Sequence, residues 1–412
     1  MHPRNLFIQD YNYTLPEKKI ASYPLEKRDE SKLLIFRDGL IREDIYRNIA
    51  NHLPEKSVLI FNDTKVIKAR ILFQKPSGGV IEIFCLEPYE ETNDYGVVLQ
   101  KTGKVRWKCM IGGAKKWKQN VLEKILNIDG IEVKLCATLV EKLTDAYVAE
   151  LTWQPPGYSF SEILEYAGDT PLPPYIKRNA EEADVARYQT IYSKFEGSVA
   201  APTAGLHFTP HIFEALREKQ ISAAFTTLHV GAGTFKPVKS STMEEHEMHG
   251  EWMEISISFI RDLHSNTSNG IFCVGTTSVR TVESIYWMGV KYLLNPHISI
   301  EEMSLNQWEV YDSPLAGNVY TPIEALEGLL SFFFNKKIEQ LFIQTKIIIA
   351  PGYQFRLTNG LVTNFHQPKS TLLLLVAAIA GKDWKRIYEY ALENEFRFLS
   401  YGDGCLIYNA VR

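Results

Sequence analysis

Between about residues 72 and 155 the chain alternates apolar and polar side chains: Ile81, Ile83 and Cys85 in one run, Tyr147, Ala149, Leu151 and Trp153 in another, with Asp129-Gly130 joining two more strand-like runs. A period of two puts every second side chain on the same face of a sheet, so this stretch is committed to β structure. The spacing predicts an all-β insert in the form of a small barrel. The flanking sequence reads differently. Short apolar runs at Val58 to Phe61, Ile271 to Val274 and Ile347 to Ile349 are interspersed with helical patterns, which predicts a mixed α/β unit. The expected fold is a larger α/β catalytic domain, residues 1–71 and 156–412, interrupted by a β-barrel domain, residues 72–155.

Local signals add detail. Thr14 followed by Glu17 has the spacing of a capping box and predicts a short helix, while Leu33 to Phe36 before Asp38-Gly39 predicts a strand entering a hairpin turn. Ser370 or Thr371 is placed to cap an apolar helix over Leu372 to Ala380, closed by Gly381. That helix is the longest apolar run, about half a membrane span, and the N-terminus lacks a basic region followed by an apolar core. Neither a membrane span nor a secretion signal is expected. Five cysteines without a C-x-x-C pair disfavour a zinc ribbon or a disulfide framework, so a reduced cytoplasmic setting is expected.

Five blocks are too polar and glycine-rich for core packing alone. They are residues 200–209, 227–235, 245–249, 275–281 and 364–371, and they hold His207, His229, His246, His249 and His366. Ile271 to Val274 runs straight into Gly275, Thr276, Thr277 and Ser278 and then a helical stretch, which gathers amides and hydroxyls at a helix N-terminus where anions and polar ligands bind. Capping alone explains a hydroxyl there but not Arg280 and Glu283 one turn later. His366, Lys369 and Ser370 face the positive end of the next helix and read as ligand contacts. His246 and His249, flanked by Glu245 and Glu247, suit acid-base work; metal ligation would need a third ligand from elsewhere, and no metal is expected. Gly231-Ala232-Gly233 lacks the third glycine of a dinucleotide fingerprint, since position 236 is Lys.

With a formal net charge of -4, any nucleic-acid contact has to come from a local patch. One stretch qualifies. Lys101, Lys104, Arg106, Lys108, Lys115, Lys116 and Lys118 occur with Trp107 and Trp117 and without an acidic residue between them. On a β module this reads either as an RNA backbone clamp or as a solvated edge that keeps the sheet from pairing with other chains.

Together the blocks resemble the S-adenosylmethionine:tRNA ribosyltransferase-isomerase family of queuosine biosynthesis. The resemblance begins at Asp10-Tyr11-Asn12-Tyr13 and residues 21–29, passes through residues 61–66 and 173–176 and the five blocks, and closes with residues 351–355 and 401–403. It implies transfer of the ribosyl part of S-adenosylmethionine, consumed as co-substrate, onto 7-aminomethyl-7-deazaguanine at the tRNA wobble position, giving epoxyqueuosine, adenine and methionine. It also implies a larger α/β domain interrupted by a small β-barrel, with no metal. In that chemistry the sulfonium acidifies the adjacent ribose carbon, so a base removes a proton there and an acid assists the departure of adenine. The expected acid-base group is His246, His249 and Glu245, with His207 and His229 next. Asp63, Thr276, Thr277, Ser278, Arg280 and Glu283 are expected to orient the co-substrate's ribose or adenine, and His366, Lys369 and Ser370 its methionine or a tRNA phosphate.

The chain departs from the family pattern at Gln367, at Ile349-Ala350, at Gly404 and in a longer, more irregular stretch over residues 295–346. Two other readings are weighed. A divergent paralogue would bind tRNA without this catalysis or modify a different base, but its acid-base blocks would be damaged. An S-adenosylmethionine-dependent methyltransferase would need a glycine-rich turn after the first strand, where this chain has Asn62-Asp63-Thr64.

Overall fold

Apolar runs with no polar alternation need cover on both faces, and they form the middle of a nine-stranded mixed sheet. In spatial order its strands are Gln340–Thr345, Glu251–Ser256, Ser222–His229, Val58–Asn62, Ile271–Val274, Thr358–Asn364, Gly404–Tyr408, Lys32–Arg37 and Leu40–Ile45. The four from Ser222–His229 to Thr358–Asn364 run parallel. Every residue of Val58–Asn62 and of Ile271–Val274 is buried. The structure is a computed structural model and describes all residues except 1, 76, 118–120, 232, 234–236, 318–319 and 411–412.

The alternating stretch forms a second, antiparallel sheet of seven strands: Gly168–Asp169, Arg70–Gln74, Val80–Pro88, Lys104–Gly112, Tyr147–Gln154, Ile131–Lys142 and Leu122–Ile128 in spatial order. It has its own apolar core around Trp107, Trp153, Ile83 and Leu135. The sheet curls until Arg70–Gln74 approaches Leu122–Ile128, but among the described residues no ladder joins those two strands. The seam is filled instead by the helix Phe160–Ala167, which Ser159 and Glu162 start with a capping box and which turns Phe160, Ile163 and Leu164 into the core.

Both glycine turns form as the sequence predicts. Asp38-Gly39 and Asp129-Gly130 take positive φ values of 52°, 72°, 50° and 84° and close tight hairpins. Ser370 caps the helix Thr371–Ala380 by accepting from Leu373 N at 3.2 Å, and Gly381 follows at φ 61°. Two expectations need correction. Thr14 caps nothing, because the segment makes only a 3-10 turn, Glu17–Lys19, with Pro16 in front of it. Ile347 to Ile349 is buried but follows the end of the strand Gln340–Thr345 as a non-strand segment. The irregular stretch after residue 295 holds 3-10 turns at Glu301–Met303 and Glu309–Tyr311 and then the helix Pro322–Lys336. This helix packs closely on the helix Thr276–Leu294 because Gly289 has no side chain to strike the Ala325 carbonyl.

Candidate active site

All four parallel strands end at one edge of the large sheet, and most of the polar blocks are the loops that leave it. Asp63 and Thr64 follow Val58–Asn62, residues 230–250 follow Ser222–His229, Gly275 leads from Ile271–Val274 into Thr276–Leu294, and residues 365–370 follow Thr358–Asn364. Ligands of open α/β sheets collect at such an edge because helix N-termini and loop amides face it. The edge here opens into a cleft of two lobes. One is lined by residues 200–204 with Tyr175, Asn364, His366 and Ser370. The other, about 310 Å³, is lined by Glu245, His246, His249, Glu251, Arg280 and residues 347–349, and Thr276, Thr277 and Leu372 belong to both.

His246 and His249 reach the cleft on the long loop between Ser222–His229 and Glu251–Ser256. Distant segments hold this loop. Residues 4–8 hydrogen-bond to it, with Met243 N donating to Leu6 O at 3.0 Å and Ile8 N to Ser241 O at 3.2 Å. Gln307 clasps it from the other side: its carboxamide donates to His246 O at 2.7 Å and accepts from Met248 N at 2.9 Å. Val238, Met243 and Ile8 bury an apolar seam beneath it. A side chain at Gly233 would strike the His249 ring. Burial and the nearby His249 pull the His246 imidazole below its usual pKa, with Glu247 opposing, so at neutral pH it is a proton acceptor.

The floor between the lobes comes from the helix Thr276–Leu294. Arg280, buried, forms an ion pair with Glu251 and donates from Nε to Ile347 O at 3.1 Å. Both partners line the cleft, so a polar ligand would meet this pair. Ser278 and Glu283 face inward. Ser278 Oγ donates to Val274 O at 2.8 Å. Glu283 is fully buried and accepts from Tyr353 Oη, the amides of Arg356, Leu357 and Thr358, and Thr358 Oγ1, at 2.8 to 3.1 Å. Those bonds hold the 353–358 turn, and Glu283 does not line the cleft.

His366 lines the cleft but bonds Thr363 Oγ1 through Nε2 at 2.9 Å, and burial lowers its pKa to about 3. Ser370 also lines it while capping its helix, whereas Lys369 contributes backbone bonds to Tyr11 and Val238. His207 lies behind the wall, stacked on Tyr46 at 4.1 Å and next to Asn364 at 3.3 Å, with its pKa lowered by burial to about 4. His229 and Asp63 sit toward the antiparallel sheet. His229 lies between Glu254, at 3.0 Å, and Thr64, at 3.3 Å, and is stacked on Tyr95. Asp63 accepts from Thr227 Oγ1 at 2.7 Å, and burial raises its pKa to about 6.

Glu251 and Gln307 are absent from the expected set. Glu251 stands two residues after His249 and gave a faint signal; Gln307 lies in the irregular stretch and gave none. The basic stretch also changes meaning in three dimensions. Nearby carboxylates pair with it: Lys101 with Glu90, just after the strand Val80–Pro88, at 3.0 Å, Lys104 and Arg106 with Glu150 at 3.7 and 2.9 Å, and Lys108 with Glu87 at 2.9 Å. Lys115 and Lys116 stay exposed, and Lys118 lies outside the described residues. Among the described residues no three His, Cys, Asp or Glu side chains converge to hold a metal ion, and no helix is long and apolar enough to cross a membrane.

Comparison with known proteins agrees with this arrangement of blocks. The sequence signature described as "Queuosine biosynthesis protein" matches residues 8–407. A protein of Halothermothrix orenii named S-adenosylmethionine:tRNA ribosyltransferase-isomerase is 35% identical over 97% of this chain and 99% of its own length. One of the same name from Magnetococcus marinus is 34% identical over 97% and 94%. A crystal structure of the S-adenosylmethionine tRNA ribosyltransferase of Thermotoga maritima shares 26% identity over 97% of this chain and 99% of that one, with a TM-score of 0.44. A match that runs through the strand ends, the histidine loop and the Gly275 corner alike leaves one assignment: this chain belongs to the queuosine biosynthesis family of S-adenosylmethionine:tRNA ribosyltransferase-isomerases.

Proposed function

We propose that this protein transfers and isomerises the ribosyl group of S-adenosylmethionine onto 7-aminomethyl-7-deazaguanine at the wobble position of a tRNA anticodon, giving epoxyqueuosine-tRNA, adenine and methionine. The observation that carries the reading is the placement of His246, His249 and Glu245 on one loop, over a cleft floored by Arg280, Glu251, Thr276 and Thr277. A cleft of this size and polarity suits a charged, consumable co-substrate, and a neutral imidazole at its mouth suits removal of a proton from carbon next to a sulfonium. His246 and His249 are assigned acid-base work with Glu245, and Arg280, Thr276 and Thr277 contact with ribose or adenine. His366 and Ser370 face the other lobe and are assigned the methionine part. His207, His229, Asp63, Ser278, Glu283 and Lys369 are assigned positioning roles, because their side chains or backbone bonds support the walls. Residues 72–155 are read as the inserted barrel domain, supported by an apolar core distinct from that of the large sheet, which Ile67, Ala69, Ile71 and the helix Phe160–Ala167 complete. The setting is the cytoplasm, where tRNA is modified.

The test is incubation with S-adenosylmethionine and tRNA carrying the aminomethyl base, followed by mass spectrometry of the nucleosides. Equimolar adenine and methionine with an epoxyqueuosine nucleoside are expected; S-adenosylhomocysteine with a methylated tRNA overturns the reading.

A further inference from the structure

The backbone around His246 and His249 is fixed residue by residue. His246 N donates to Met243 O at 3.2 Å, and the His246 carbonyl accepts from Gln307 Nε2 at 2.7 Å. Met248 N donates to Gln307 Oε1 at 2.9 Å. From Glu251 onward the ladder to the strand Gln340–Thr345 takes over, so His249 and Gly250 alone separate the clasp from the sheet. One carboxamide spans the backbone from His246 to Met248, and only one orientation suits it, because its oxygen has to face an N–H and its nitrogen a C=O.

Gln307 is itself held from two directions. Leu305 is buried, and its carbonyl accepts from Lys346 N at 2.8 Å, just past the strand Gln340–Thr345. Lys291, on the helix Thr276–Leu294, donates to Ser304 O at 2.8 Å and pairs with Glu309 at 2.6 Å, while Glu309 accepts from Asn306 N at 2.9 Å. That helix also carries Arg280, which reaches the Thr345 carbonyl at 3.4 Å. The clasp therefore ties both histidines to the frame that holds the cleft floor. Gln307 lines neither lobe, so it acts through the residues it holds.

Acid-base help needs the donor and acceptor within hydrogen-bond reach of the reacting atoms, and a misplacement of about 1 Å costs on the order of a hundredfold in rate. We infer that Gln307 is a positioning residue for the acid-base group: its two backbone bonds set the directions from which His246 and His249 enter the cleft. This rests on the reading that these histidines move the protons. It gives the irregular stretch after residue 295 a part in the chemistry of the cleft.

The experiment compares wild type with Gln307→Ala and Gln307→Glu in kcat, in KM for S-adenosylmethionine, in the pH profile of kcat/KM and in amide exchange over residues 243–249. Gln307→Ala should lower kcat roughly tenfold or more while KM moves by less than about threefold. Exchange over residues 243–249 should quicken. Burial, with His249 adding and Glu247 opposing, holds the His246 pKa down, so a loosened loop that admits water should move the acid limb up toward about 6.5. The other charged groups of the lobe, Lys239, Glu245, Glu251 and Arg280, are the same in both proteins. A role in folding alone would lower the melting temperature and the active fraction but leave the acid limb in place, and that outcome overturns the inference, as does wild-type kcat in a folded Gln307→Ala. Gln307→Glu keeps an acceptor for Met248 N but sets an oxygen against His246 O, so its kcat should fall part of the way with KM kept. Should Gln307→Ala not fold, Gln307→Glu decides alone: a lowered kcat with KM kept supports the role and wild-type kcat overturns it. If wild type releases no adenine and methionine, the proposed function fails. Amide exchange over 243–249 and an NMR titration of His246 then decide the positioning role, which unchanged exchange and an unchanged His246 pKa in Gln307→Ala overturn.

Discussion

The polar side chains of this protein fall into two populations that look alike in sequence and live differently in the fold. On the loop 230–250, Glu245 and His249 are exposed and His246 is half-buried, all three facing the cleft. Behind the strand ends, Glu283, His207, His229 and Asp63 are buried, and their polar atoms are met by named partners inside the protein. Side chains of the first kind can meet a ligand in the cleft directly. Those of the second hold the walls that position them. A histidine or glutamate in a dense block is thus half the information; the strand end it stands on, and the side to which it points, is the other half.

Substitutions at four places sharpen or break this division. Glu283→Ala leaves five hydrogen-bond donors of the 353–358 turn without their acceptor, so it should lower unfolding free energy by about 4 kcal/mol or more in a denaturant titration. Unchanged stability with lost turnover would move Glu283 into the first population. Asp63, with its pKa raised to about 6, is next. A raised carboxyl contributes stability that is present below its unfolded pKa and is lost as pH climbs through the folded value. Wild type should therefore lose up to about 3 kcal/mol between pH 4 and 6 relative to Asp63→Asn, and parallel curves for the two would show that Asp63 is not held protonated.

His246→Ala or His249→Ala should cut turnover at least roughly a hundredfold with little change in melting temperature, the scale of lost acid-base help. Because the His246 pKa is lowered, the acid limb of kcat/KM should lie below the usual imidazole value of about 6.5. A limb above it contradicts His246 as the base. The smallest effect is expected on the antiparallel sheet. Lys115→Gln with Lys116→Gln should flatten the salt slope of tRNA binding by something under two units, while Lys104→Gln, whose charge already faces Glu150, should hardly change it. Equal effects would restore the whole basic stretch as an RNA clamp.

Much of the fold was legible because its signals are local. The Asp-Gly hairpins, the buried strands, the Gly275 corner and the Ser370 cap each need only a few neighbouring residues to be recognised. The alternation over residues 72–155 revealed the antiparallel sheet but not how far it closes, since that depends on Phe160–Ala167 wedging into the seam from beyond the stretch. In the site, His246, His249, Glu245, Thr276, Thr277 and Arg280 were all singled out and all line one lobe. What sequence could not separate was membership from direction. Ser278 and Glu283 share a helix with Arg280 yet turn to the other side, and Lys104 and Lys108 meet Glu150 and Glu87 on neighbouring strands. Those pairings are set by sheet register, which no window along the chain contains.

The clasp on the histidine loop has a consequence for the order in which the molecule is built. Residues 4–8 are made long before their partners at 241–244, and Gln307 later still. A nascent chain can complete the antiparallel sheet early, but it must carry residues 4–8 unattached until the loop exists to receive them. The loop that carries His246 and His249 is therefore held on both sides only after residue 307 has been made. A fusion attached ahead of residue 4 would act on the proton chemistry of the finished cleft, by competing for the place those residues take beside the loop, well before it disturbed the sheets.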